Sequence, residues 1–212
     1  MTISPYFVTF NCMKKLVYII GVIIVFTGFV SAGVHINEVY YKIPEQTGWN
    51  KNDQWIEIFN FSSSQITLDG WKLKDDQGSV FSFSVTLSSN QRLVLVADSS
   101  RFIAHWDSIL NPGILIIEYG GFIDITKDIG MVCLLNNGGS EISRVEWGGT
   151  GTSTGVPAGY SLGLYPDGNV SPQPYDYVTC RPTPGEENRE APASAVNPAT
   201  WGRIKAMFSA ER

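Results

Sequence analysis

Short runs of β-branched and aromatic residues, each closed by a turn signal, recur along most of this chain, and they restrict it to a fold built from sheets. The clearest case is Trp55-Ile56-Glu57-Ile58-Phe59-Asn60. A polar Ser-Ser-Ser-Gln link follows, then Leu68-Asp69-Gly70-Trp71-Lys72-Leu73-Lys74-Asp75. Alternation of period two predicts strands, and Asp-Gly supplies a turn. Trp55, Glu57 and Phe59 then share one face, with Ile56 and Ile58 on the other.

Comparable runs predict strands at 34–40, 54–60, 70–74, 79–83, 92–97, 114–117, 130–135, 143–147 and 160–164. Between them lie Asp76-Gln77-Gly78, Asn136-Asn137-Gly138-Gly139 and Pro166-Asp167-Gly168-Asn169, which suit tight turns. This spacing favours a sandwich or barrel over βαβ units. One helical pattern interrupts it at 99–106, where Ser99 or Ser100 can cap and Phe102 and Trp106 sit one turn apart. The apolar segment 111–127, broken by Pro112-Gly113 and Gly120-Gly121, is read as an excursion between strands.

Both ends depart from this pattern. Lys14-Lys15 precedes an apolar run, residues 16–30, that closes on Val30-Ser31-Ala32. Basic start, apolar middle and small residues make a secretory signal peptide over 1–32, cleaved near Ala32, with Met13 as the true start. The competing reading is a retained anchor, for which the run falls short of the ~20 residues that span a bilayer. Removal takes two lysines and no acids, so the net charge moves from −5 to −7. Such acidity excludes duplex nucleic acid as a partner. At the other end, 189–200 reads as a Pro/Ala linker and 201–212 as an amphipathic tail. There Trp201, Ile204 and Phe208 lie at helical spacing among Arg203, Lys205 and Arg212.

The order of pieces resembles the lamin tail domain family, in its secreted bacterial type, over about residues 34–188. Ile36-Asn37-Glu38-Val39 is similar to the family's opening strand, and the Trp55 to Asn60 and Leu68 to Leu73 phrases to its next two. Phe81-Ser82-Phe83, Leu93-Val94-Leu95-Val96, the Leu134 to Gly139 hairpin and Gly159-Tyr160-Ser161-Leu162 follow in family order. Thr183-Pro184-Gly185 with Asn188 resembles the closing element. The resemblance implies an all-β, immunoglobulin-like β-sandwich. Nuclear lamins use this domain to bind proteins and DNA; the leader and the acidity block transfer of the DNA role here. The stretch from Trp106 to Ile129 is longer and more apolar than the family pattern.

Signals for chemistry are sparse. His35 and His105 lack metal spacing, and no C-x-x-C or G-x-S-x-G occurs. The glycine-rich 148–155 lacks the lysine of a phosphate loop. Asp75-Asp76-Gln77-Gly78 resembles a fragment of a calcium loop without its later bidentate glutamate, so a plain turn is expected. Glu57 reads as a hydrogen-bonded residue that fixes register. No catalytic residue, metal or cofactor is expected. Cys133 and Cys180 are a candidate disulfide in an oxidising compartment; the alternative for Cys133 is a small buried hydrophobe.

The expected function is a non-enzymatic, exported interaction module of the cell envelope or extracellular space that binds protein partners. Loop aromatics, which bury much area at little entropy cost, are the candidate contacts: Tyr41, Trp49, Tyr165 and Tyr175, with Trp201, Ile204 and Phe208 of the tail. Tyr40 and Tyr177 lie beside the same turns, and the bland reading has most of these rings folded back as lids. The tail, which loosely resembles Trp-Gly-x-Ile-Lys-Ala endings of exported bacterial proteins, is a candidate to dock on an export or attachment apparatus. The alternatives are a carbohydrate-binding or calcium-assisted adhesion module, or an accessory domain of a separately encoded enzyme.

Overall fold

A computed structural model describes residues 33–126, 128–149, 155–168 and 176–192. Among these residues thirteen strands are formed: β1 (Val34–Tyr40), β2 (Trp55–Asn60), β3 (Ile66–Thr67), β4 (Trp71–Asp75), β5 (Val80–Phe83), β6 (Thr86–Leu87), β7 (Arg92–Val96), β8 (Leu115–Glu118), β9 (Gly130–Leu135), β10 (Glu141–Trp147), β11 (Ser161–Leu164), β12 (Tyr177–Arg181) and β13 (Arg189–Glu190). One α-helix, α1 (Ser99–Trp106), joins β7 to β8, and short 3-10 turns occupy Lys51–Asp53 and Gly120–Phe122.

The strands form a seven-stranded sheet in the order β13-β12-β11-β1-β2-β7-β8 and a four-stranded sheet in the order β10-β9-β4-β5. A small β3-β6 pair sits apart. Every pairing is antiparallel except β7 with β8. The two sheets bury a common core, with Ile36, Val39, Ile56, Ile58, Leu93 and Leu95 from one and Leu73, Val132, Leu134 and Val145 from the other. Ile56 and Ile58 thus face inward as the alternation requires.

The opposite face of the large sheet is covered as well. Trp55, Tyr40, Val94 and Val96 meet Phe102 of α1 in a second apolar cluster, with Trp49 and Trp106 against it. Asp98 caps the helix by accepting from the Arg101 N–H at 3.0 Å. The chain therefore does contain a β-α-β unit, built from the 99–106 helix and the apolar excursion whose path composition leaves open.

A register shift between Ile36 and Glu38 marks a β-bulge at Asn37. The extra residue lets Ile36 and Val39 both face the core while Glu38 falls opposite Glu57 on the covered outer face. At the bulge the Ile36 N–H donates across the core to Ser143 Oγ at 3.1 Å, linking the two sheets.

Candidate functional site

Two features stand out on the frame: a buried network of carboxylates on the outer face of β1 and β2, and an open groove at the end of β1. The network starts from Glu38 and Glu57, both 0% exposed. Glu38 accepts from the Ser161 hydroxyl and from the Thr183 N–H and hydroxyl, the latter at 3.1 Å. Glu57 accepts from Asn37 Nδ2 at 2.8 Å and from the Gly185 N–H at 2.7 Å, and Arg92 Nε lies 3.2 Å away. Arg92 also pairs with Asp167, and its guanidinium stacks 4.1 Å from the Phe59 ring centroid. Asn188 closes the set by donating to the carbonyls of Asn37 and Leu164 at 3.0 and 2.9 Å.

Burial is the main cause that raises both glutamates. For Glu38 the neighbouring Glu57 charge adds to it, and the group stands well above the ordinary carboxylate range. For Glu57 the Arg92 charge and the bonds from Asn37 and Gly185 oppose burial, leaving it pushed up to about 7. Raised carboxyls in a cleft can signal acid–base catalysis. Here both are sealed under the Thr183 to Asn188 segment and spend their oxygens on backbone and side-chain donors, so the arrangement holds structure together.

The groove has a volume of about 260 Å³ and is lined by Tyr41, Lys42, Pro44, Trp49, Asn50 and Lys51 on one side and by Thr126 and Asp128 on the other. Lys42 pairs with Asp128 across it. Trp49 is half-buried and held in place: its ring stacks on His105 at 4.0 Å and meets Tyr40 and Trp106 edge-on. Behind it the buried Asp53 accepts from Arg101 Nε and Nη2 at 2.9 and 2.7 Å and lies 3.3 Å from His105 Nε2. Asn50 and Asp53 exchange the bonds of a capping box around the 3-10 turn, which stiffens the loop.

Of the sequence candidates, Trp49 lines this groove and Tyr165 is 45% exposed. Tyr165 follows β11, which runs antiparallel to β1, so it lies toward the other end of the sandwich and the two do not share a surface. Tyr41 is not an exposed contact: it is 3% exposed, stacks on Trp147 at 4.5 Å, and its hydroxyl accepts from the Val156 N–H. Past the bulge it continues the inward alternation of Val39. Tyr40 and Tyr177 are also buried, as strand residues rather than lids. Tyr175, Trp201, Ile204 and Phe208 lie outside the described residues.

Cys133 and Cys180 are free thiols: Cys133 points away from the core that its neighbours Val132 and Leu134 enter, with its Sγ beside Glu141, so the candidate disulfide is not formed. Burial pushes both up to about 12, which makes them inert. Asp75 serves a turn: its Oδ1 accepts from the Gln77 and Ser79 N–H groups and its Oδ2 from that of Asp124. Arg189–Glu190, assigned by composition to a linker, pair with β12 as the last strand of the large sheet. Sequence reasoning passed over Glu38, Arg92, Asp167 and Asp53. A carboxylate inside a strand otherwise rich in apolar residues, as in Ile36-Asn37-Glu38-Val39-Tyr40, is the signal for the first.

Two facing sheets with an apolar interior, one helix and no free catalytic constellation among the described residues define an immunoglobulin-like β-sandwich, a non-catalytic type of domain. The family model for the Lamin Tail Domain matches residues 29–149, more than half of the chain, and the protein belongs to that family. No curated protein matches the chain.

Proposed function

We propose that the protein is an exported, non-enzymatic interaction module of the cell envelope or extracellular space, and that it takes a protein partner at the Trp49 groove. The observation that carries this reading is a preformed groove with a held aromatic ring and a polar rim, the makings of a binding hot spot. Domains of this family often mediate protein interactions. Export rests on the basic start and apolar run of the N-terminus. The glycan reading draws on the same ring, since Trp49 beside Asn50 and Asp128 offers stacking with hydrogen-bond groups.

Crosslinked pull-down from the protein's own envelope, with wild type and Trp49→Ala compared, is the test. Capture of a defined protein that the variant loses supports the proposal. Glycan-array binding lost in Trp49→Ala, with no protein captured, favours the carbohydrate module. Equal capture by both chains removes the groove from the account. N-terminal sequencing of the recovered protein tests export, with a start just after Ala32 expected. Deletion of 193–212, which keeps β13, tests the tail: unchanged localisation sinks its docking role.

A further inference from the structure

The two large sheets end on four edges: β13 and β8, β10 and β5. A sheet edge with free N–H and C=O groups pairs with another chain unless charge, proline or a bulge blunts it. β13 is Arg189–Glu190, β8 ends in Glu118, and β10 carries Glu141, Arg144 and Glu146 with an ion pair at 2.5 Å. β5 is Val-Phe-Ser-Phe, without charge or proline.

The backbone of that edge is open. Asp75 N–H donates to the Ser79 carbonyl at 3.1 Å, which fixes the alternation in the β4–β5 hairpin. Phe81 and Phe83 then hold the hydrogen-bonded positions, and the N–H and C=O groups of Val80 and Ser82 point away from β4. Apolar surface borders them. Val80 is 44% exposed, and Phe122, 66% exposed, lies 6.1 Å from the Phe81 ring.

Charge selects the occupant. On the neighbouring strand β4, Lys72 and Lys74 face outward, Asp69 stands exposed in the turn that precedes it, and no ion pair engages either lysine among the described residues. Asp69 leans toward the residue just after β5, where it accepts from Ser84 Oγ at 2.7 Å. An antiparallel copy centred on Ser82 sets Val80 against the partner's Ser84, so Lys74 reaches the partner's Asp69 across Val80 alone, once on each side. Lys72 faces the partner's Lys72 across about three strand spacings, roughly 14 Å, where salt screens the repulsion. The chain's own tail, with Arg203 and Lys205, would instead meet both lysines.

We infer that β5 is a self-association edge: a second copy of this chain pairs with it antiparallel about a two-fold axis, joining the two four-stranded sheets into one and covering Phe122. The contact is isologous, so it closes as a dimer. Sedimentation velocity of the full chain across a concentration series tests it. A dimer is expected, with its dissociation constant raised about tenfold or more by Val80→Lys and by Phe122→Ser. Both sites are exposed, so circular dichroism and melting should stay at wild-type values. Asp69→Lys should weaken the dimer, and Asp69→Lys with Lys74→Asp should restore it. A monomer throughout the series overturns the inference. So does a dimer indifferent to Val80→Lys, as association through the apolar N-terminal run would be, or one broken equally by Glu146→Lys on β10. The Trp49 groove takes no part, so its partner binding can fail or hold independently.

Discussion

Glu38 and Glu57 face each other across β1 and β2 with no solvent to spread their charge. Their pKa values stand above the ordinary 4.5, so the folded chain holds these protons more tightly than the unfolded one. For Glu57 that stabilisation is fully present below about 4.5 and is lost as the pH rises through about 7; for Glu38 it is lost as the pH rises through its own raised value. The melting temperature should therefore fall by a few degrees between about pH 5 and pH 8. Glu38→Gln keeps an acceptor oxygen for the Thr183 donors while removing the charge. It should melt higher than wild type at about pH 8 and show a shallower slope across the range. Differential scanning calorimetry over that range decides the matter, and a wild-type melting temperature that climbs with pH would contradict the assignment.

At the scale of elements, α1 is the lid over the second apolar cluster, and its residues divide by depth. Phe102 is 1% exposed against Trp55, whereas Ile103, one position on, is 45% exposed. Phe102→Ala should cost about 3–5 kcal/mol in chemical denaturation, through lost burial and a cavity. Asp98→Ala, which removes the helix cap, should cost about 1 kcal/mol, and Ile103→Ala should stay within about 0.5 kcal/mol. Equal losses at Phe102 and Ile103 would mean that the helix does not seal the sheet. This helix and β1, β2, β4, β7 and β9 were legible because each carries its own period. β12 and β13 were not, since a polar strand such as Tyr177-Val178-Thr179-Cys180-Arg181 has no apolar alternation to report. The parallel seat of β8 was hidden for another reason: hydrophobic period marks a strand without naming its neighbour. Likewise nothing in Ile36-Asn37-Glu38-Val39 announces a bulge, so the pairing of two glutamates could not be foreseen. Trp49 was readable as a site because a large ring in a polar loop has no core role evident in sequence. The groove around it depends on Asp128, some eighty positions away.

For the whole molecule, the carboxylate network explains how the closing segment is kept. Thr183 to Asn188 carries no large apolar side chain, so burial alone cannot hold it. It is held by charge and geometry: Thr183 on Glu38, Gly185 on Glu57, Asn188 on Asn37 and Leu164. Gly185 is required for its backbone. Its φ is +85°, and an added Cβ would stand 2.4 Å from Ile114 Cδ1. The segment thereby ties β12, β1, β2 and the excursion into one unit, and its amides should behave as core amides despite their loop position. In native-state hydrogen exchange the Thr183 and Gly185 N–H groups should be protected to the level of β1 and β2. Asn188→Ala leaves two carbonyls unpaired and should cost about 2–3 kcal/mol. If the network is the clamp, that loss should fall on the closing segment first, with Thr183 and Gly185 exchanging quickly while β4 and β9 stay protected. Fast exchange of those two amides in the wild type would show instead that the glutamates are buried by the sheet alone, and that the segment only rests on them.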